Sequence, residues 1–188
     1  FQIMVNRYKI DLDLIEAFLH SMEMDLDFKT YNDSKYHEYI YGSAEVVGLM
    51  CLKVFCEGDS AMYERLREPA CKLGAAFQKV NFLRDLAADF KKLGRSYFPG
   101  VNVESFDQAT QLRLIEDIEN DLATSAKTLP LLPVGSRRAV AAAQMFFQAL
   151  NERIRNTPAE VLIETRISVP NSQKLVILAK ALLGVIPK

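Results

Sequence analysis

Hydrophobic positions recur at spacings of three and four residues along most of the chain, and alternating strand-like runs are scarce. This period is typical of amphipathic α-helices, so the sequence predicts an all-α protein. Pro69 is expected to begin the longest helix, which continues to Leu93 and stops at Gly94. Further helices are predicted over 11–27, 34–55, 62–67, 107–128 and 136–156, with Asp33 or Ser34 capping the second and Asn171 or Ser172 capping a last helix.

Composition and charge indicate a globular domain and argue against one class of function. The hydrophobic fraction of 49% supplies a sizeable core, and residues 1–188 are expected to form one helical domain. Lys and Arg number 23 against 24 Asp and Glu, for a net charge of -1, which argues against a nucleic-acid-binding protein.

The cysteines and the hydropathy pattern point to the cytoplasm. No signal peptide opens the chain, and no apolar run reaches the roughly 20 residues that a membrane span needs. Cys51, Cys56 and Cys71 are odd in number and lack a C-x-x-C pair. They are therefore expected to be free thiols in a reducing compartment.

A row of polar side chains lies on the longest predicted helix, within QKVNFLRDLAADF (78–90). At about 100° per residue, four of these side chains share a sector of about 80°: Gln78, Asn81, Asp85 and Asp89. Apolar residues border this polar row on both sides, whereas a solvated helix face is usually broad and mixes Lys with Glu. The polar row is therefore expected to line a cavity inside the bundle.

Two carboxylates one helical turn apart repel each other unless a cation compensates them. Mg²⁺ suits the role, because it takes oxygen ligands and bridges carboxylates to substrate phosphates. The candidate ligands are Asp85, Asp89 and Asn81. Four basic residues nearby could hold phosphate oxygens: Arg84, Lys91, Lys92 and Arg95. The alternative is an exposed acidic turn that Lys92 neutralises, since D-x-x-x-D alone is a weak motif.

The surrounding stretch, LGAAFQKVNFLRDLAADFKKLGRSYFPG (73–100), resembles the second aspartate-rich region of the squalene/phytoene synthase family. The shared positions are Gly74, Gln78, Asn81, Arg84, Asp85, Asp89, Arg95, Tyr97 and Pro99. A second stretch, YIYGSAEVVGLMCLKVF (39–55), is similar to the family's other signature at Tyr39, Ala44, Val46, Val47 and Gly48. The C-terminal ETRISVPNSQKLVILAKAL (164–182) looks like the tail of bacterial phytoene synthases.

Three features depart from the family pattern. Ile40 stands where a small residue or Cys is usual. Glu45 stands where Gly, Ser or Ala is usual, and it is expected on the outer side of its helix. The family's first aspartate-rich motif has no counterpart in this sequence. The chain is therefore expected to be the C-terminal two thirds of a synthase domain, to lack half of the metal and diphosphate site, and to self-associate through exposed apolar surface.

The resemblance implies an isoprenoid-synthase-type helical bundle around a central cavity, and a prenyltransferase that joins two prenyl diphosphates head to head. Mg²⁺, or Mn²⁺ in its place, would be held by Asp85, Asp89 and Asn81. The other implied roles are Tyr39 near the leaving group, Gln78, Arg84, Arg95 and Arg166 on the substrate, and Val47 and Gly48 as walls of the lipid tunnel. The alternatives are ordinary packing for Tyr39, close helix crossing for Gly48 and loop packing for Arg95.

The preferred product within the family is phytoene, formed from two geranylgeranyl diphosphates as the first step of carotenoid biosynthesis. NADPH is not expected, because the sequence has no Gly-rich dinucleotide fingerprint. One alternative is a squalene or dehydrosqualene synthase that uses farnesyl diphosphate. An alternative of another class is a non-catalytic helical scaffold, against which the retained polar row argues. Peripheral membrane contact is also expected, since substrate and product are lipids.

Overall fold

The computed structural model describes residues 1–26, 31–93 and 97–187, with side chains except at 90–93, and this part of the chain is helical without strands. The all-α prediction is thus confirmed. The helices are α1 (Gln2–Tyr8), α2 (Leu12–Met24), α3 (Asp33–Ile40), α4 (Val46–Cys56), α5 (Ser60–Leu93), α6 (Gln108–Ala126), α7 (Val134–Arg155), α8 (Ala159–Leu162) and α9 (Asn171–Leu182). A π-helical turn, Tyr41–Glu45, joins α3 to α4, and 3-10 turns occupy Val103–Ser105 and Leu129–Leu131.

Helix α5 is the longest element, and it packs against α4, the π-helical turn, α6 and α7. Its first half contributes Tyr63 and Leu66 to a core shared with α4 and the start of α7. Its second half contributes Val80 and Leu83 to a core shared with α3 and α6. Because one helix runs through both cores, the orientation of α5 decides which of its side chains face the interior.

The prediction that Pro69 begins the long helix was wrong, because α5 runs unbroken from Ser60 with Pro69 inside it. Proline normally interrupts a helix, since it has no N–H to donate. Here Leu66 and Ala70 on either side pack into the same core, and this shared burial outweighs the lost hydrogen bond. The predicted stop at Gly94 lies outside the described residues.

The helix predicted over 34–55 is divided by the π-helical turn, and its cap differs from the prediction. Asn32 has the extended backbone of an N-cap, and its side chain accepts from the Lys35 N–H at 2.9 Å. Asp33 is already the first helical residue. At α9 the N-cap is Pro170, so the predicted caps Asn171 and Ser172 lie inside that helix.

By length and composition, the stretch Asp33–Cys56 is apolar enough to cross a membrane, which was not predicted from the sequence. In the fold, its apolar side chains enter both hydrophobic cores. Ile40 packs in one core, and Leu49 and Leu52 pack in the other. A helix that is buried within a protein requires the same apolarity as one that crosses a bilayer.

Exposed apolar side chains concentrate on the first two helices and on α9. The most exposed are Phe1, Ile3, Leu12, Leu19, Leu26, Leu175, Leu182 and Leu183, each at least 60% accessible. Surfaces of this kind are typical of regions that contact other polypeptide segments. Self-association through them stays a prediction.

A buried carboxylate connects α5 to α6. Asp121 is 4% exposed, and its two oxygens accept from Lys72 Nζ at 3.0 Å and from Lys79 Nζ at 2.7 Å. Lys79 also binds Asp117, whose side chain is 60% exposed. A buried charge is tolerated when it is paired, so these contacts hold the two helices together at this point.

Asp121→Asn should lower the free energy of unfolding by about 3 kcal/mol, because both lysines lose a charged partner at a buried position. Asp117→Asn makes the same chemical change on the exposed partner of Lys79, and it should lower the free energy by about 1 kcal/mol or less. Urea denaturation of the two variants beside the parent measures the difference. Equal losses would contradict the view that burial gives Asp121 its importance.

Candidate active site and its apolar cavity

Two glycines let the backbone of α5 touch the backbone of the preceding helical segment. A Cβ at Gly74 would lie 2.6 Å from the carbonyl oxygen of Ala44, in the π-helical turn. A Cβ at Gly48 would lie 2.9 Å from the carbonyl oxygen of Ala70. Both distances are shorter than real Cβ contacts, so the crossing depends on residues without side chains. This geometry supports the alternative that Gly48 allows a close helix crossing.

Beside this crossing, a cavity of about 390 Å³ opens between α4, α5, α6 and α7. Its lining is mostly apolar and includes Phe55, Leu66, Phe77, Leu129, Leu132 and Phe147. Val47 and Gly48 also line it, and their role toward a lipid chain stays a prediction. A cavity of this size and polarity suits an apolar ligand with few polar contacts.

The structure places the polar row at one side of this cavity. Gln78 and Asn81 are among the lining residues. Asp85 and Asp89 follow on the same helix at steps of four residues, each about 6 Å further along the axis, and both are half-buried. The row therefore leads from the apolar cavity to a pair of carboxylates outside it.

Asp85 is surrounded by positive charge. Its Oδ1 accepts from Arg166 Nε at 2.7 Å and from Arg84 Nε at 3.1 Å, and its Oδ2 accepts from Arg84 Nη2. Burial acts to raise the pKa of Asp85, but the two guanidinium groups outweigh it and hold that pKa below its ordinary value. Asp85 is therefore a carboxylate over the whole neutral range.

Arg166 reaches the polar row from the connection between α8 and α9. Ile167 and Val169 pack this connection against the core that α5 shares with α3 and α6. The side chain of Arg166 itself remains 64% exposed. The structure thus joins Arg166, predicted only from a resemblance, to Asp85, which lies 81 residues earlier.

Tyr39 does not line the cavity. It is 5% exposed, and its ring lies among Tyr31, Phe82 and Tyr97. Its hydroxyl donates to Asp25, at 3.1 Å from Oδ2 and 3.3 Å from Oδ1. Burial and the neighbouring Asp25 raise the pKa of Tyr39, so the phenol stays protonated. These contacts favour the packing alternative, and a role near a leaving group stays a prediction.

The two unusual family positions, Ile40 and Glu45, do not line the cavity. Glu45 faces α5, so the prediction that it lies on the outer side of its helix was wrong. Ile40 is 2% exposed and packs in a core. Glu45 is half-buried beside Cys71 and Lys72, and it is not among the lining residues. Burial raises the pKa of Glu45, while the charge of Lys72 opposes this shift. Arg95 lies outside the described residues, so its predicted role stays untested.

Several residues that shape the cavity were not predicted from the sequence. Phe77 and Phe147 stack with ring centroids 3.9 Å apart and planes 14° from parallel. Phe77 is four residues before Asn81, about 40° away on the helix, so the same wheel that found the row could have placed it at the cavity. Phe147 comes from α7, and no local pattern connects it to α5.

The polar row offers the donor chemistry that Mg²⁺ prefers. Asp85 and Asp89 supply carboxylates on successive turns, and Asn81 supplies an amide oxygen. Within residues 1–26, 31–93 and 97–187, no group of three or more His, Cys, Asp or Glu side chains is placed to hold a metal ion. Two carboxylates still fit Mg²⁺, which commonly completes its shell with water and substrate phosphate.

Solved synthases share this helical fold. A solved dehydrosqualene synthase, determined with a ligand, matches at TM-score 0.77 and 24% identity, over 94% of this chain and 66% of that one. Squalene synthase HpnC from Alicyclobacillus acidocaldarius matches at TM-score 0.69 and 17% identity, over 81% of this chain and 62% of that one.

The chain belongs to the squalene/phytoene synthase family, whose family model matches residues 1–173. It is 32% identical over 179 residues to a 15-cis-phytoene synthase from Paracoccus sp. (strain N81106 / MBIC 01143), covering 87% of this chain and 55% of that protein. It is 29% identical over 170 residues to one from Enterobacter agglomerans, covering 82% and 55%. The chain therefore spans about half the length of these curated relatives.

Gly74→Ala should lower the free energy of unfolding by about 1–3 kcal/mol, because the added methyl group meets the backbone of Ala44. Gly135→Ala is the matched control: it lies in α7 with nothing within 4 Å of the new Cβ. That control should raise the free energy by about 0.4–1 kcal/mol. Thermal and urea denaturation check both values, and a Gly74→Ala protein as stable as the parent would contradict the close crossing.

Proposed function

We propose that the full-length protein is a phytoene synthase, which joins two geranylgeranyl diphosphates head to head. The observation that carries the proposal is that Gln78 and Asn81 connect the apolar cavity to the two carboxylates. These residues belong both to the cavity lining and to the polar row that continues to Asp85 and Asp89. A prenyl diphosphate has the same division, with an apolar chain and an anionic head. The names of the curated relatives support the choice of phytoene as product.

The proposed reaction proceeds in two steps and needs no electron donor. A carbon–carbon bond forms as the first diphosphate leaves, and loss of one proton gives a cyclopropyl diphosphate. The second diphosphate then leaves, the ring rearranges, and loss of a second proton gives phytoene. Two substrates thus yield one hydrocarbon, two diphosphates and two protons, so NADPH has no role.

The residues of the polar row assist diphosphate as a leaving group. Mg²⁺, when bound, supplies positive charge that stabilises the leaving group. Asp85, Asp89 and Asn81 are proposed to hold it, with Mn²⁺ as a substitute. The guanidinium groups of Arg84 and Arg166 already lie beside Asp85 and suit phosphate oxygens through paired N–H donors.

The cavity serves the carbocation that remains after the diphosphate departs. Its walls are mostly aliphatic and aromatic, so they exclude water that would otherwise quench the cation. The stacked pair of Phe77 and Phe147 borders the same space as Gln78. We also propose a cytoplasmic location. Peripheral membrane contact is part of the proposal, because substrate and product are lipids.

Turnover by the full-length protein tests the proposal. With geranylgeranyl diphosphate, Mg²⁺ and no NADPH, we expect phytoene, identified by chromatography and its absorption spectrum. Asp85→Asn and Asp89→Asn should lower the rate on the order of 100-fold, because each removes a charged metal ligand. Asp117→Asn, the same change at an exposed carboxylate of α6, should leave the rate unchanged.

Other products would redirect the assignment. Squalene or dehydrosqualene from farnesyl diphosphate, with no phytoene, would replace the proposed substrate while keeping the family chemistry. A folded full-length protein that converts neither diphosphate would favour the non-catalytic scaffold. Full activity in Asp85→Asn would show that the polar row has no part in the reaction.

A further inference from the structure

Arg166 forms an ion pair with Asp85, one of the carboxylates assigned above to Mg²⁺. We propose that Arg166 is an exchangeable counterion: it neutralises Asp85 while no divalent cation is bound, and it yields that carboxylate when one binds. The released guanidinium group then contacts the diphosphate of the substrate. This inference rests on the proposed function, because it requires Asp85 to be a metal ligand.

At Oδ1 of Asp85, a metal ion would have to displace a guanidinium group. Arg166 Nε lies 2.7 Å from Oδ1, and Arg84 contributes Nε at 3.1 Å from the same oxygen. Arg84 also donates to Oδ2. Both oxygens of the carboxylate are therefore already hydrogen-bonded to guanidinium groups, and a metal ion cannot reach Oδ1 without weakening one of them.

Of the two arginines, Arg166 is the one that can leave. Arg84 is adjacent to Asp85 on α5, and its side chain is 22% exposed. Arg166 is 64% exposed, and its contact with Asp85 joins two separate segments of the chain. The Arg166 side of this ion pair is exposed to solvent, which screens the pair, so a divalent ion can replace Arg166 at small cost.

The backbone keeps Arg166 near the site after release. Its neighbour Ile167 packs against the core, and Val169 is 3% exposed within that core. The connection is thereby fixed while the long side chain remains free to turn. A guanidinium group in this position can bind phosphate oxygens through two parallel N–H donors, which lysine cannot do.

Mn²⁺ titration of the full-length protein, followed by the electron paramagnetic resonance signal of the free ion, tests the exchange. Without diphosphate, Arg166→Gln should bind Mn²⁺ about two- to fivefold more tightly than the parent, because a weak competitor is gone. Arg166→Lys keeps the charge and should bind Mn²⁺ as the parent does. Asp85→Asn should lose most of the binding.

Arg138→Gln is the control for net charge. Arg138 is exposed near the start of α7, where Val140 packs into the core that contains Leu66. Leu66 and Asp85 are about 28 Å apart along α5, so Arg138 lies toward the other end of the bundle. This variant should bind Mn²⁺ as the parent does.

A second titration adds inorganic pyrophosphate at saturating Mn²⁺. Arg166→Gln should now bind pyrophosphate about tenfold more weakly, whereas Arg166→Lys should lose less, because it keeps the charge without the paired donors. The same substitution would thus strengthen binding of the cation and weaken binding of the anion. A purely structural role for Arg166 would not produce opposite effects.

Three results would overturn the inference in different ways. If Arg166→Gln binds Mn²⁺ no better than the parent while Asp85→Asn loses binding, Arg166 is not a competitor and the metal assignment stands. If Asp85→Asn binds Mn²⁺ like the parent, the metal assignment at Asp85 fails, and the inference fails with it. If pyrophosphate binding is unchanged in Arg166→Gln, the released side chain does not contact diphosphate.

Discussion

The backbone contact between α5 and the π-helical turn is the constraint on which the site depends. The carbonyl oxygen of Ala44 occupies the space that a side chain at Gly74 would fill. Gln78 is one turn further along α5, on the face that this contact turns inward. The π-helical turn also touches α2 through Gly42, where a Cβ would lie 2.5 Å from the Ala17 carbonyl oxygen. One short segment therefore fixes two helix crossings and, through them, the direction of the polar row.

Along α5, polarity rises in one direction. Phe77 faces an apolar cavity, Asn81 is an uncharged polar residue on its lining, and Asp85 carries a full charge outside it. Charge kept outside the apolar cavity avoids the large penalty of burying an unpaired ion. The buried carboxylate of Asp121 follows the same rule by another route, because two lysines neutralise it. The helix thus separates the apolar and ionic parts of the site without a buried unpaired charge at either of these carboxylates.

Local patterns predicted the all-α class, most of the helices and the polar row, because each depends on spacing within one segment. They failed where distant segments decide the outcome. The helix continues through Pro69 because packing on both sides of it outweighs a local breaker, and Phe147 reaches the cavity from α7 without any local signal. The pairing of Arg166 with Asp85 could not be found from spacing either. Tyr39 matches the family motif, yet it does not line the cavity.

The contacts of Asp85 also affect the stability of α5, which carries two like charges one turn apart. Aspartates at positions 85 and 89 lie one turn apart, a spacing that destabilises a helix when both are charged and uncompensated. Arg84 and Arg166 supply that compensation at Asp85 from within the chain. The described helices therefore do not require a metal to offset this repulsion, in contrast to small zinc domains whose folding depends on the ion. Metal affinity and stability can then vary separately, so a weakly bound divalent ion is compatible with a stable bundle.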